Sequence, residues 1–296
     1  MNFSTMMLGT AQFGMNYGIA NISGKPSGET VKEIIRTAFE NGVNCLDTAP
    51  AYGDSEMIIG KVLAELGLKE KMHVISKVKI PQDLAPGMQE EFITSSVENS
   101  LRRLRVERLA ACLFHRTDDL CYLEIMRKLE TRGLVGGVGV SLDDNRDCQQ
   151  VIDLNLQYIQ LPYNIFEHRF DKFFAALPRN GRPIIFARSA YLQGLLLMPE
   201  EQISPALSCV KPVRHQLSAL ATASGMDMAE LCLRFVLSNP HISSVLVGVD
   251  NIRQLELNLK IIRKGVLPPD LLTAIRTAVP LFDEHVVRPS LWSPNA

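Results

Sequence analysis

Hydrophobic positions along the chain fall into two alternating patterns. Short apolar runs of strand length are each followed by a longer stretch whose apolar residues recur three and four apart, the spacing of one helix face. Met6-Met7-Leu8-Gly9 predicts a first strand. Residues 29–41 predict a helix, with Val31, Ile34, Ile35 and Ala38 on one face and Asn41-Gly42 as its stop. The scheme then repeats. Strands are predicted over 44–47, 73–76, 109–114, 135–140, 158–161, 183–186 and 245–247, and helices over 55–66, 89–104, 119–132, 145–154, 169–177 and 213–237, with two closing helices from Ile252 and from Asp270. The run from Leu109 to Phe114 is continuously apolar, as a strand buried on both faces should be.

Strict alternation implies a parallel sheet with right-handed crossovers. Eight such units over about 280 residues fit closure into a (β/α)8 TIM barrel, read as one domain over residues 1–296. The alternative is an open doubly wound sheet, which announces itself with Gly-x-Gly-x-x-Gly after its first strand. Here the first strand runs into Gly9-Thr10-Ala11-Gln12-Phe13-Gly14, which lacks that pattern.

Composition narrows the partners. Hydrophobic residues make up 46% of the 296, enough for one large core. Lys plus Arg number 31 against 32 Asp plus Glu, so the chain has no global field for nucleic acid or an anionic membrane, and neither is expected. The first residues lack the basic and apolar regions of a signal peptide, and no apolar run approaches the ~18 residues of a membrane span. The six cysteines form no Cys-x-x-Cys pair and sit mostly among apolar neighbours. They read as reduced core thiols in a cytoplasmic protein, with no metal site expected. Oligomeric state is not legible.

In a closed parallel barrel the active site lies at the C-terminal ends of the strands. That rule selects Asp47 at the end of the second strand, Tyr52 in the loop after it, Lys77 ending the third and His115 ending the fourth. Each alone reads equally well as an ordinary strand-end residue. Together they make a device: an ammonium lowers the pKa of a nearby phenol, a carboxylate holds the ammonium, and the phenol becomes a proton donor. His115 can donate a hydrogen bond to a carbonyl oxygen.

These residues resemble the aldo-keto reductase family. Leu46-Asp47-Thr48-Ala49-Pro50-Ala51-Tyr52-Gly53-Asp54-Ser55-Glu56 with Gly60 is similar to its signature, and Val74–Lys77 and Leu113–Arg116 to its lysine and histidine segments. Ser100–Leu104, Gly137–Ser141, Gln160–Asn164 and Gly248–Leu259 follow in the family's order. The resemblance implies a barrel that binds a nicotinamide cofactor and transfers hydride to a small aldehyde or ketone. Tyr52 would be the general acid, tuned by Asp47 and Lys77, with His115 orienting the carbonyl.

It also implies cofactor contacts from Gly9 and Thr10, from Ser141 and Gln160 at the carboxamide, from Ser189, Leu192 and Gly194 after the seventh strand, and from Gly248, Arg253, Gln254 and Asn258 at the adenosine end. Two departures stand out. Leu142 replaces an asparagine common after the serine. Arg188 takes the place of a residue beneath the nicotinamide ring, where its planar guanidinium can stack and should disfavour the oxidised, positively charged ring. The alternative is that Arg188 meets a phosphate. The lysine and arginine that some branches use for a 2′-phosphate are replaced by Gly248 and Gln254, with Asp250 between, while Arg253 and Asn251 remain available. NADP(H) is expected ahead of NAD(H).

The segment Leu8–Asn21 is similar to a smaller bacterial branch with members tied to surface-polysaccharide or unusual-sugar synthesis. It implies a sugar-like or polar carbonyl substrate, with Phe13, Tyr17, Phe114, Tyr163 and Phe166 as pocket candidates. The competing readings are a sugar dehydrogenase running the reverse reaction, a non-catalytic NADP-binding or redox-sensing subunit, and a barrel lyase using Lys77 as a Schiff-base nucleophile.

Overall fold

The structure, a computed structural model, describes residues 2–21, 23–177 and 183–292. Eight parallel strands close in sequence order into a barrel: β1 (Met6–Gly9), β2 (Cys45–Asp47), β3 (His73–Val78), β4 (Ala111–Phe114), β5 (Val138–Ser141), β6 (Tyr158–Pro162), β7 (Ile184–Arg188) and β8 (Ser244–Gly248). β1 closes the ring against β8, with Met6 opposite Val245 and Gly9 opposite Gly248. The helices α1 (Ala11–Gly14) and α2 (Gly28–Glu40) follow β1, α3 (Ser55–Leu66) follows β2, α4 (Gln89–Leu104) β3, α5 (Leu123–Thr131) β4, α6 (Cys148–Asp153) β5 and α7 (Asp171–Ala176) β6. After β7 come α8 (Lys211–Ala223) and α9 (Met228–Leu237), and after β8 come α10 (Ile252–Arg263), α11 (Pro269–Ala278) and α12 (Glu284–Val287). The TIM barrel expected from the alternation is the observed fold.

Two apolar cores follow from the strand period. Side chains alternate across a strand, so one set fills the barrel and the other packs under the helices. Met7, Cys45, Ile75, Ala111, Leu113, Tyr158, Phe186 and Leu246 form the inner cluster, separate from the larger outer one. Counting two residues onward from this inner set gives the next inward ring toward the C-terminal mouth: Gly9, Asp47, Lys77, His115, Gln160, Arg188 and Gly248, joined from β5 by Ser141. A Cβ on Gly139 would lie 2.0 Å from the Tyr158 carbonyl oxygen, so β5 needs glycine where it passes β6.

Three boundaries differ from the periodicity. The helix predicted over 213–237 is two helices, because Gly225 adopts φ +68° and the Asp227 side chain starts a new helix by accepting from the Glu230 N–H at 2.8 Å. β4 and β5 begin later than predicted, with Leu109 and Val135 meeting in an isolated bridge beneath them. The cysteines are only partly core: Cys45, Cys112, Cys148 and Cys232 are buried, Cys121 and Cys209 exposed. Among the described residues, no helix is long and apolar enough to cross a membrane.

Candidate active site

The β2 and β3 registers set Asp47 beside Ile75, and the strand period brings Lys77 inward above it. Both side chains are almost wholly buried. Lys77 Nζ donates to both Asp47 oxygens at 2.7 Å, to the Thr48 carbonyl at 3.1 Å and to the Tyr52 hydroxyl at 3.3 Å. Gln160 Nε2 donates to Asp47 Oδ1 at 2.7 Å. Burial opposes the ammonium, but the Asp47 carboxylate and then the phenol outweigh it and hold the Lys77 pKa above its ordinary value. An ammonium so fixed is a poor amine nucleophile, which argues against the lyase reading.

Tyr52 sits on a tightly folded loop. Its N–H donates to the Ala49 carbonyl and its own carbonyl accepts from Ser55. The loop lies directly on α1: a Cβ on Gly14 would fall 1.8 Å from the Tyr52 carbonyl oxygen, and Gly53 turns with φ +56° above the Gly14 carbonyl. Burial raises the phenol's pKa and Lys77 lowers it, and the net direction is upward. The ammonium alone would move the phenol the other way, as expected from the sequence. Desolvation of the phenolate supplies the difference, so Tyr52 keeps its proton at neutral pH.

His115 stands edge-on to Tyr52, with ring centroids 6.1 Å apart. Burial, then the charges of Lys77 and Arg188, lower its pKa to about 3. The imidazole is therefore neutral under ordinary conditions.

A cleft of about 500 Å³ opens at this mouth and is lined by Gly9, Thr10, Asp47, Tyr52, Gln160, Arg188, Ser189, Gly194, Gly248, Gln254 and Asn258 of the predicted residues. A second recess of about 280 Å³ shares Tyr52, Gln160 and Arg188 with it, and adds His115 and Ser141. Lys77 lies behind Tyr52 and lines neither. Leu192 is fully buried and Arg253 is exposed outside the lining, so neither faces the cleft here. Thr10 is at the cleft wall, but its hydroxyl serves the scaffold, donating to the Asp47 carbonyl at 2.7 Å and accepting from Ser55 at 2.8 Å.

Arg188 reaches across the recess to β5. Its guanidinium pairs with Asp143 and donates to the Leu142 carbonyl at 3.0 Å. Past it the backbone is left-handed at Ser189, Leu192, Gln193 and Gly194, a conformation uncommon outside glycine. Of the aromatic pocket candidates, Tyr17 lines both recesses, whereas Phe13, Phe114, Tyr163 and Phe166 are core residues at most 1% exposed.

Sequence reasoning missed several wall residues. Tyr191 lines the cleft and donates to Asn258 Oδ1 at 2.6 Å. Val287–Ser290, from the end of the chain, wall the recess, and Arg288 is anchored on Asp144 at 3.0 Å and Glu284 at 2.8 Å. No strand-end rule reaches a segment that returns to the mouth from so far along the chain. The signature residues Glu56 and Gly60 are structural: Glu56 accepts from Ser76 at 2.6 Å and from Arg103 at 2.7 Å, and a Cβ on Gly60 would strike the Arg103 carbonyl.

A nicotinamide dinucleotide fits this arrangement. The cleft has the size of a cofactor pocket, ~300–1,000 Å³, and backbone forms much of its wall: a Cβ on Gly248 would lie 2.2 Å from the Gln12 amide and one on Gly194 2.3 Å from Ala20. The Gln160 amide, fixed by Asp47, stands where the two recesses meet, and Ser141 lines the smaller one.

The sequence model of the Aldo/keto reductase family matches residues 5–279. Aldo-keto reductase YhdN of Bacillus subtilis is 28% identical over 258 residues, covering 77% of each chain. D-arabinose 1-dehydrogenase of Saccharomyces cerevisiae is 24% identical, covering 86% of this chain and 82% of its own. The holo structure of the aldo-keto reductase AKR11C1 from Bacillus halodurans superposes with a TM-score of 0.78 at 20% identity, covering 96% of this chain and 95% of its own.

Proposed function

Because the chain belongs to the aldo/keto reductase family, a family of oxidoreductases acting with nicotinamide cofactors, we propose that it reduces the carbonyl of a small polar, sugar-like aldehyde or ketone, with Tyr52 as general acid. The observation that carries this reading is the buried Lys77 ammonium, held by both Asp47 oxygens and touching the Tyr52 hydroxyl at 3.3 Å where the two recesses meet.

A nicotinamide dinucleotide, when bound, would supply the hydride. Gly9, Gln160, Arg188, Ser189, Gly194, Gly248, Gln254 and Asn258 would hold it along the larger cleft, with Ser141 at the recess. The chain's own part is a proton and a field. Tyr52 keeps its proton at the hydroxyl because burial disfavours phenolate. Lys77 Nζ donates to that oxygen, so charge developing there as the proton leaves meets an ammonium. Asp47 fixes the ammonium and cannot swing away, being held in turn by Gln160. His115, neutral and facing the recess, offers a hydrogen bond to the substrate oxygen without competing as an acid. A phenol that retains its proton is in the state reduction needs, and the same groups would serve the reverse dehydrogenation.

The recess supports a polar substrate. Tyr17, Asp143, Gln193 and Ser290 line it, and its cations are already paired, Arg188 with Asp143 and Arg288 with Asp144. Such a wall suits hydroxyls better than a free anion. We place the enzyme in the cytoplasm, in keeping with its unpaired thiols. The test is oxidation of the reduced cofactor with two aldehydes of similar size, one polyhydroxylated and one alkyl. The account expects a higher kcat/KM for the hydroxylated aldehyde. Cofactor binding without turnover of either would favour a non-catalytic subunit.

A further inference from the structure

The cleft wall carries a carboxylate, Asp250, beside the residues that the proposed cofactor reading gives to the adenosine end. Asp250 lies between β8 and α10, half-buried in the cleft wall beside Gln254 and Asn258. Both its oxygens are held by neutral amides. Asn21 Nδ2 donates to Oδ1 at 3.2 Å and Gln254 Nε2 to Oδ2 at 3.3 Å, while the Asp250 N–H donates to Gln254 Oε1 at 2.7 Å. Among the described residues lining the cleft, Arg188 is the cation, and Asp143 already occupies it on the opposite side.

The start of α10 is partly capped. The Asn251 side chain caps it, accepting from the Gln254 N–H at 3.0 Å, and Asp250 supplies negative charge beside its positive end. A 2′-phosphate arriving here would meet a carboxylate and a helix end with one of its first-turn N–H groups already capped. A ribose diol would meet two carboxylate oxygens able to accept from its hydroxyls.

From this juxtaposition we infer that Asp250 selects against a 2′-phosphate and makes the chain prefer NAD(H) to NADP(H), opposite to the preference the family resemblance implied. Arg253, which supported that earlier expectation, is exposed and outside the cleft lining. The inference rests on the proposed cofactor reading. Two like charges a few ångströms apart correspond to roughly five-fold to several-hundred-fold in affinity between a water-like and an intermediate dielectric.

The experiment is fluorescence titration of the full chain with NADH and with NADPH at one low ionic strength, for wild type, Asp250→Asn and Arg253→Ala. Wild type should bind NADH at least about tenfold more tightly, a difference of ~1.4 kcal/mol. Asp250→Asn should shrink the ratio at least about fivefold, mainly by improving NADPH, and Arg253→Ala should leave it unchanged. Equal or tighter NADPH binding by wild type overturns the inference while leaving the nicotinamide reading intact. So does a ratio untouched by Asp250→Asn, or NADPH binding lost selectively in Arg253→Ala. Binding of neither dinucleotide overturns both.

Discussion

The two ends of the cleft are built on different principles. At the Tyr52 end, charge is buried and saturated: the three Lys77 N–H donors face four oxygens on Asp47, Thr48 and Tyr52 from a site 1% exposed, and each partner is a strand residue or the loop directly after a strand. At the Asp250 end, charge is half-exposed, its partners are neutral amides at 3.2–3.3 Å, and it sits on the loop between β8 and α10. Strands fix position to within their register, and low dielectric magnifies each charge. Loops fix less and solvent screens more. The first end is therefore suited to chemistry, where a proton must pass at one place, and the second to selection between similar cofactors. Substitutions at the first should damage stability and turnover together, and those at the second should shift binding ratios alone.

The largest expected effect is Lys77→Met. It leaves Asp47 buried with Gln160 but without its counter-charge, a loss of ~3–5 kcal/mol for one partner of a buried pair. Tyr52 also loses its ammonium and becomes a weaker acid. Denaturant unfolding should show the destabilisation, and the rate of carbonyl reduction should fall. Asp47→Asn added to Lys77→Met should recover much of the stability and none of the activity. An unchanged midpoint in Lys77→Met would mean that the pair contributes nothing to the fold. By contrast, Asp250→Asn should change stability by less than about 0.5 kcal/mol, as befits a partly exposed position.

The smallest effect on binding is expected at Arg188, which lines both recesses. If its guanidinium lies beneath the nicotinamide ring, the reduced cofactor should bind more tightly than the oxidised one, and Arg188→Tyr should narrow that gap. Asp143 already balances much of the charge, so the change should be near the low end of a Coulomb estimate, ~1 kcal/mol or about fivefold. Paired dissociation constants for the two redox forms measure it. Equal weakening of both forms would assign Arg188 to a phosphate.

The same contrast explains what was legible in the sequence. The alternation of apolar runs was enough to read eight strands, and the strand-end rule then selected Asp47, Lys77 and His115, whereas Gln160 and Arg188 were reached only through likeness to the family. The direction of the Tyr52 shift was not legible, because the burial that desolvates the phenol is set by tertiary packing, which no local pattern announces. Leu192 and Arg253 were assigned to the cleft by likeness; the left-handed backbone at Leu192 buries its side chain, and the first turn of α10 leaves Arg253 outside the lining. Phe13, Phe114, Tyr163 and Phe166 were ambiguous for a general reason: an aromatic residue near a strand end has the same sequence appearance whether it faces the mouth or the helix layer.

The central claim is that Tyr52 supplies the proton. Its most direct test is Tyr52→Phe, measured twice: reduced-cofactor binding by fluorescence, and kcat with an aldehyde across about pH 5–8, a range in which neither a neutral His115 nor a protonated Tyr52 should titrate. The account predicts that cofactor affinity is kept within about twofold, a difference small beside the tenfold that ~1.4 kcal/mol brings. It predicts that kcat falls about 10²–10⁴-fold, the range for loss of a general acid, and that the wild-type profile is flat over that range. A variant that retains wild-type kcat, or one that loses cofactor binding in the same proportion as activity, would contradict it.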